Sequence, residues 1–179
     1  ELPKGPLPVE VSDVSFAYDD GPNVLSDVNI SIPAGLNVAI VGETGSGKST
    51  LSKLLCRLAD PTAGSVRLGG VDLRQIAPES RRSAVRLVPQ DGFLFNTSIL
   101  ENVRMGNPAA TDDEVLAAFA DLGLLDWLNR LPNGIHTEVG QRGDGISVGE
   151  RQLVALARAE MSDPGLLLLD EATSNVDPD

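Results

Sequence analysis

The stretch from Leu36 to Leu58 restricts the fold more than any other part of the chain. It opens with Leu36-Asn37-Val38-Ala39-Ile40-Val41, and the apolar run Val38 to Val41 reads as a strand buried on both faces. It closes with Leu51, Leu54, Leu55 and Leu58, spaced i, i+3, i+4 and i+7, which is one apolar stripe of a helix. Between them lies Gly42-Glu43-Thr44-Gly45-Ser46-Gly47-Lys48-Ser49-Thr50, a Gly-x4-Gly-Lys-Ser loop. A strand joined to a helix through such a loop predicts an α/β core with ligand chemistry at the strand's tip.

Each residue type in that loop has a physical task. Glycine lets the backbone wrap closely enough to aim several N–H groups at one anion. The following helix adds partial positive charge at its N-terminus. Lys48 can reach the β- and γ-phosphates of a nucleotide, and the Ser49 hydroxyl can hold Mg²⁺. Gly42, Thr44, Gly45, Ser46, Gly47, Lys48, Ser49 and Thr50 are therefore candidate nucleotide-binding residues. The bland alternative is a glycine-rich turn that binds nothing; the strand before it and the helix after it count against that.

Bulk properties narrow the class. The 179 residues suffice for one domain with a core, and 41% apolar residues is ordinary for a globular chain. The net charge of −12 argues against a broad nucleic-acid footprint, which needs a basic face. It also means that an anionic ligand must be attracted locally. One cysteine, Cys56, excludes an internal disulfide and reads as a small residue at the core boundary. No apolar run approaches the length of a membrane span, and no signal peptide is evident, so this chain itself is expected neither to cross a membrane nor to be exported.

Taken in order, Leu2 to Pro8 is proline-rich and reads as an extended linker. Val9 to Phe16 and Val28, Ile30 and Ile32 alternate as antiparallel, half-exposed strands around the turn Asp19-Asp20-Gly21-Pro22. Ser65 to Leu68 and Val71 to Leu73 suggest a further small β element, and Val85 to Val88 a short strand before Pro89-Gln90. Thr111 and Glu114 form a capping box, after which Val115, Leu116, Phe119 and Leu122 share a helix face. Leu125 and Leu128 continue a shorter helix in which Trp127 reads as a packing residue. Ser147 and Glu150 form a second capping box, opening a helix through Leu153, Leu156 and Ala157 to about Met161. Leu166 to Leu169 reads as a buried strand that ends in Asp170-Glu171.

Those two acids sit where open α/β sheets bind ligands, at the carboxyl end of a strand. Adjacent carboxylates suit two tasks, positioning Mg²⁺ and activating water.

With these motifs in hand, the chain resembles the nucleotide-binding domain of ATP-binding-cassette (ABC) transporters, from about Val9 to Asp177. Gly42 to Thr50 matches Walker A, Leu166 to Asp170 matches Walker B, and Glu171 matches the catalytic glutamate that follows it. Tyr18 matches the aromatic position that stacks on adenine. Gln90 matches the glutamine that looks toward Mg²⁺ and the attacking water. Ile146-Ser147-Val148-Gly149-Glu150 stands where the signature Leu-Ser-Gly-Gly-Gln belongs, and Ser174 to Asp177 matches the D-loop. Thr137 to Gly143 is similar to the loop that exporters use to touch their membrane domains. Phe93-Leu94-Phe95 and Ile99 to Val103 point the same way.

The resemblance implies an α/β fold: a P-loop NTPase core with an N-terminal antiparallel β subdomain and an inserted α-helical subdomain. Residues 1–8 would be a linker and 9–179 the domain. Within it, 9–35 would be the antiparallel part, 36–90 and 162–179 the core, and 91–161 the helical subdomain with the signature. It implies ATP and Mg²⁺ as ligands. Catalysis would fall to Glu171, Gln90 and Lys48, and metal binding to Ser49, Gln90 and Asp170. Ser147 and Gly149 would reach the ATP of a second nucleotide-binding domain, in a head-to-tail homo- or heterodimer. The other implied partners are the transmembrane domains of one exporter, at the cytoplasmic face of the cell membrane.

Two departures accompany the match. Val148 and Glu150 replace Gly and Gln of the signature, stiffening one position and placing a negative charge near a triphosphate. The family's switch histidine lies beyond the catalytic glutamate on a later strand. His136, the only histidine, precedes the signature and reads as a surface loop residue. The C-terminal strands are thus expected to be missing. That leaves two alternatives to a working ATPase of an exporter: a fragment that binds ATP without turnover, or a soluble ABC ATPase.

Overall fold

The computed structural model describes residues 2–89, 92–141 and 145–170. The chain forms two compact units. Of the described residues, the first holds those up to Arg86 together with Pro164–Leu168, and the second holds those from Leu87 to Asp163 together with Leu169 and Asp170.

The first unit is built on an antiparallel sheet. Strand β1 (Val9–Ala17) pairs with β2 (Asn23–Ile32) on one side and β3 (Ala63–Leu68) on the other, and β3 pairs with the short β4 (Val71–Asp72). The expected antiparallel strands are therefore present. Along β1 the buried residues are Val9, Val11, Val14 and Phe16, so the alternation changes phase between Val11 and Val14. A β-bulge makes that change. Asp13 has φ 51°, and the register with both neighbours slips there. Asn29 holds the bulge, its side chain accepting from Asp13 N at 2.9 Å and donating to Asp13 Oδ1 at 3.1 Å. Opposite, Gly64 has φ +80°, and a Cβ there would lie 2.4 Å from the carbonyl oxygens of Ser12 and Asp13. Only glycine satisfies both conditions.

Helix α1 (Lys48–Leu55) places Leu51, Leu54 and Leu55 in the same core as β1, β2 and β3. The fourth member of the expected stripe, Leu58, is 68% exposed, because the helix ends at Cys56 and Arg57 turns at φ 53°. Burial pushes the Cys56 thiol up to about 11, which fits an inert boundary residue.

A second correction concerns the run before the loop. Leu36 to Val41 is not a strand, and Val41 is 88% exposed. A parallel strand is held by ladder hydrogen bonds from neighbours on its edges, and among the described residues no strand pairs with this run. Likewise Leu166 to Leu169 forms a strand but is only half-buried. This strand, β6 below, pairs with β5 (Val85–Val88), which follows helix α2 (Pro78–Ala84).

The second unit is helical. It contains α3 (Ile99–Arg104), α4 (Asp112–Asp121), α5 (Leu125–Arg130) and α6 (Val148–Glu160). Val115 and Phe119 are fully buried with Leu94, Ile99, Val103, Leu128, Val139 and Val154. On α6 the buried face is Gln152, Val154, Ala155, Ala157 and Ala159, with the expected Leu153 and Leu156 at its half-buried margin.

A polar hub lies inside this unit. Asn102 is fully buried, and its side chain accepts from Phe95 N and donates to the carbonyls of Phe95 and Ser98. Arg158 of α6 donates to Asn102 O at 2.8 Å, to Asn102 Oδ1 at 2.9 Å and to Phe93 O at 3.1 Å. Burial lowers the pKa of this guanidinium, which donates to neutral oxygens.

Gly64→Ala combines a strained φ with a clash against backbone that cannot yield. It is expected to cost about 2–5 kcal/mol, read as a lower urea midpoint with an unchanged m-value.

Candidate nucleotide site

The loop Gly42–Thr50 is turned by Gly45 and Gly47, with φ of +85° and +92°. Ser46 N donates to Glu43 O at 3.1 Å, closing a turn between them. Gly47 is the N-cap of α1, and a Cβ there would sit 2.7 Å from Leu25 Cδ2 of β2. The cap must therefore be glycine, and it carries no side chain to satisfy the first N–H groups of the helix. No acid stands in the first turn of α1. Lys48 Nζ donates to Gly42 O at 2.7 Å and to Glu43 O at 2.9 Å. An ammonium has three donors, so one remains for a ligand.

These features fit a triphosphate: unmet backbone donors at a helix start, an ammonium fixed beside them, and space where side chains would otherwise lie. The exposed Ser49 hydroxyl forms no hydrogen bond among the described residues. A hard cation such as Mg²⁺ takes oxygen donors, so Ser49 suits it.

Tyr18 joins this region. Its ring is 44% exposed and meets Phe16 edge-on at 4.9 Å. Its hydroxyl lies 3.2 Å from Thr50 Oγ1, and Lys53 Nζ donates to it at 3.4 Å while standing 5.5 Å from the ring centre. The bond with Thr50 and the nearby Lys53 charge lower the tyrosine pKa. An exposed aromatic side chain is thus fixed to α1.

In the second unit, Ser147 caps α6. Its hydroxyl accepts from Glu150 N at 3.2 Å, and Glu150 Oε2 accepts from Ser147 N at 2.7 Å. The sequence did not reveal a third member, Trp127, whose Nε1 donates to Glu150 Oε1 at 3.0 Å from 23 positions away. A half-buried tryptophan needs an acceptor for its N–H, which is the only sequence signal for this bond. Trp127 also packs on Phe119 at 6.0 Å, as expected of a packing residue. The Trp127 N–H first, then the Ser147 N–H, hold the Glu150 carboxyl below its usual value. Its charge is thereby engaged within the cap.

Asp170 follows β6 and its backbone N–H donates to Val88 O at 3.1 Å. Gln90, Glu171 and Ser174 to Asp177 lie outside the described residues, as do Arg142 and Gly143 of the expected membrane-domain loop. The preceding part of that loop is anchored by a bridge between Glu138 and Ser98. His136 is on the surface, its Nε2 3.7 Å from an Asp112 carboxylate.

Fold and loop together define an ATP-binding cassette. A family model for ABC transporters matches residues 25–174, and the chain belongs to that family. A solved structure of a bacterial Atm1-family ABC exporter with ATP bound superposes with a TM-score of 0.90 at 40% identity, over 99% of this chain and 31% of that one. The uncharacterized ABC transporter ATP-binding protein YknV of Bacillus subtilis is 40% identical over 94% of this chain and 28% of its own length. The human mitochondrial iron-sulfur clusters transporter ABCB7 is 46% identical over 94% of this chain and 22% of its own. The chain spans less than a third of the length of these relatives. Among the described residues no helix is long and apolar enough to cross a membrane.

The two caps make the second unit acid-sensitive. Glu150 and Glu114 both titrate below the ordinary 4.5 in the folded state. Their stabilisation is complete above that pH and is lost as pH falls through the lower folded-state values. Thermal melts of Glu114→Gln/Glu150→Gln are expected to lose less Tm than the parent between about pH 5 and about pH 3.

Proposed function

We propose that this chain is the ATP-binding and ATP-hydrolysing motor domain of an ABC exporter. The observation that carries the reading is the glycine-turned loop ahead of α1, whose uncapped helix start and Lys48 form an anion cradle. In this reading Gly42 to Thr50 grips the phosphates and Tyr18 supports the adenine. Ser49 would hold Mg²⁺, with Asp170 and Gln90 supporting it. Bound there, Mg²⁺ would neutralise charge on the phosphates. Lys48 would exchange its contacts with the Gly42 and Glu43 carbonyls for phosphate oxygens. Glu171 accepts a proton from water attacking in line with the leaving group, and Gln90 orients that water.

Ser147 and Gly149 would contribute to the ATP site of a second domain, so that two nucleotides bind a head-to-tail pair together. Separation after hydrolysis would drive the membrane domains, placing the chain at the cytoplasmic face. The match to exporter relatives supports this partner.

In the intact transporter, Glu171→Gln is expected to lower phosphate release by about 10²–10⁴-fold while ATP still raises Tm. Lys48→Ala is expected to lose the ATP-dependent rise in Tm itself. Unchanged turnover in Glu171→Gln would remove that residue from the mechanism.

A further inference from the structure

Tyr18 stands one residue beyond β1, where an exposed tyrosine would ordinarily turn freely about its side-chain torsions. Three contacts remove that freedom. Phe16 meets the ring edge-on at 4.9 Å, Thr50 Oγ1 lies 3.2 Å from the hydroxyl, and Lys53 Nζ lies 3.4 Å from it. Phe16 and Thr50 are buried, so core packing accounts for where they sit. Lys53 is different: it is exposed, and its ammonium could point into water.

In a chain of net charge −12, an exposed ammonium has many acids to choose from. Among the described residues Lys53 forms no ion pair. It folds back over Tyr18 instead, 5.5 Å from the ring centre and within hydrogen-bonding distance of the hydroxyl. A long, strongly hydrated side chain loses rotamer freedom in such a pose. The compensation is electrostatic, because the ring face is negative and the hydroxyl oxygen accepts. Thr50 is the largest cause of the lowered Tyr18 pKa, and Lys53 adds to it through both its hydrogen bond and its charge. Thr50 belongs to the first turn of α1 and Lys53 to the last. Three apart on one helix, they are neighbours on its surface. The ring is thus located by the same helix that the phosphate loop opens.

We infer that Lys53 is a positioning residue for the nucleobase: with Thr50 it presets the Tyr18 ring relative to the phosphate loop, so that base and phosphates are recognised as one ligand. This rests on the reading above in which Tyr18 supports the adenine and Gly42 to Thr50 grips the phosphates. A ring held before the ligand arrives has little rotamer freedom left to lose on stacking, and such preorganisation raises affinity without a new contact. A triphosphate that lacks a base gains nothing from it. The competing account is that Lys53 only complements the dipole at the end of α1, where a basic residue is favourable in any helix.

The test compares equilibrium binding of a non-hydrolysable ATP analogue and of inorganic tripolyphosphate, each with Mg²⁺, to the intact transporter. Lys53→Met keeps the apolar stem and removes the charge. It is expected to raise the half-saturating analogue concentration about two- to fivefold and to leave tripolyphosphate unchanged, while Lys53→Arg binds both as the parent does. In a Tyr18→Ala background Lys53→Met is expected to add nothing. Equal weakening of both probes would make Lys53 a general attractor of phosphate and overturn the inference, as would an effect that persists without Tyr18. A lower nucleotide-free Tm with neither probe affected would assign Lys53 to the helix end and overturn it too. So would a silent Lys53→Met beside a Tyr18→Ala that narrows the preference for the analogue over tripolyphosphate, which leaves the proposed function intact. A Tyr18→Ala that does not change this preference would instead sink the reading of Tyr18, and the inference with it.

Discussion

An α-helix begins with backbone N–H groups that have no partner inside it. This chain treats those groups in graded ways, and the site depends on the difference. At α4 the Thr111–Glu114 box satisfies the end from both sides and uses the hydroxyl proton as well. At α6 the Ser147–Glu150 box satisfies the same backbone groups, and Trp127 Nε1 also donates to the glutamate. At α1 the cap is Gly47, with no side chain at all. The first helix is a structural element, closed on itself. In the proposed function the third receives phosphate, since no side chain caps its first donors.

Holding such an end open requires rigidity elsewhere. In the first unit it comes from the leucines of α1 in the sheet core. Tyr18 adds a side-chain tie to Thr50, so the aromatic ring and the helix form one rigid piece. In the second unit it comes from Asn102 and Arg158. A half-buried guanidinium bonded to neutral oxygens ties two segments together, and removing its partners would leave donors to be met by water. The Phe93–Ser98 segment is therefore fastened to α6, the helix that Ser147 opens.

Local rules made much of this readable in advance. Both capping boxes are set by residues three apart, and the antiparallel strands by alternation and turn residues. What failed were inferences needing a distant partner. The Val38–Val41 run is apolar enough for a buried strand, but burial requires neighbouring strands, and composition cannot supply those. Leu58 continues the helical spacing, yet the chain leaves the helix at Cys56, before that spacing can act. The bond from Trp127 to Glu150 was hidden for the same reason: a tryptophan in an apolar helix reads as packing, and packing it does provide. Its N–H needs a partner that only the fold brings near. The bulge at Asp13 was half-legible, because the phase change from Val11 to Val14 is written in the chain while the matching Gly64 is not.

Charge placement completes the contrast among helix starts. The chain carries −12 overall, which at long range disfavours any nucleotide. Screening confines that repulsion to about 8–10 Å at ordinary ionic strength, so what decides binding is the sign of the nearest groups. The first turn of α4 holds Asp112, Asp113 and Glu114, which complement its dipole and saturate it. The first turn of α1 holds no acid and begins with Lys48. An acid in that turn would neutralise the same positive end and repel phosphate besides. At α6 an acid is present, Glu150, but the indole and the cap take up both its oxygens. The helix start proposed to grip phosphate is thus the one with no acid beside it, while at α6 the acid's charge is engaged within its own cap.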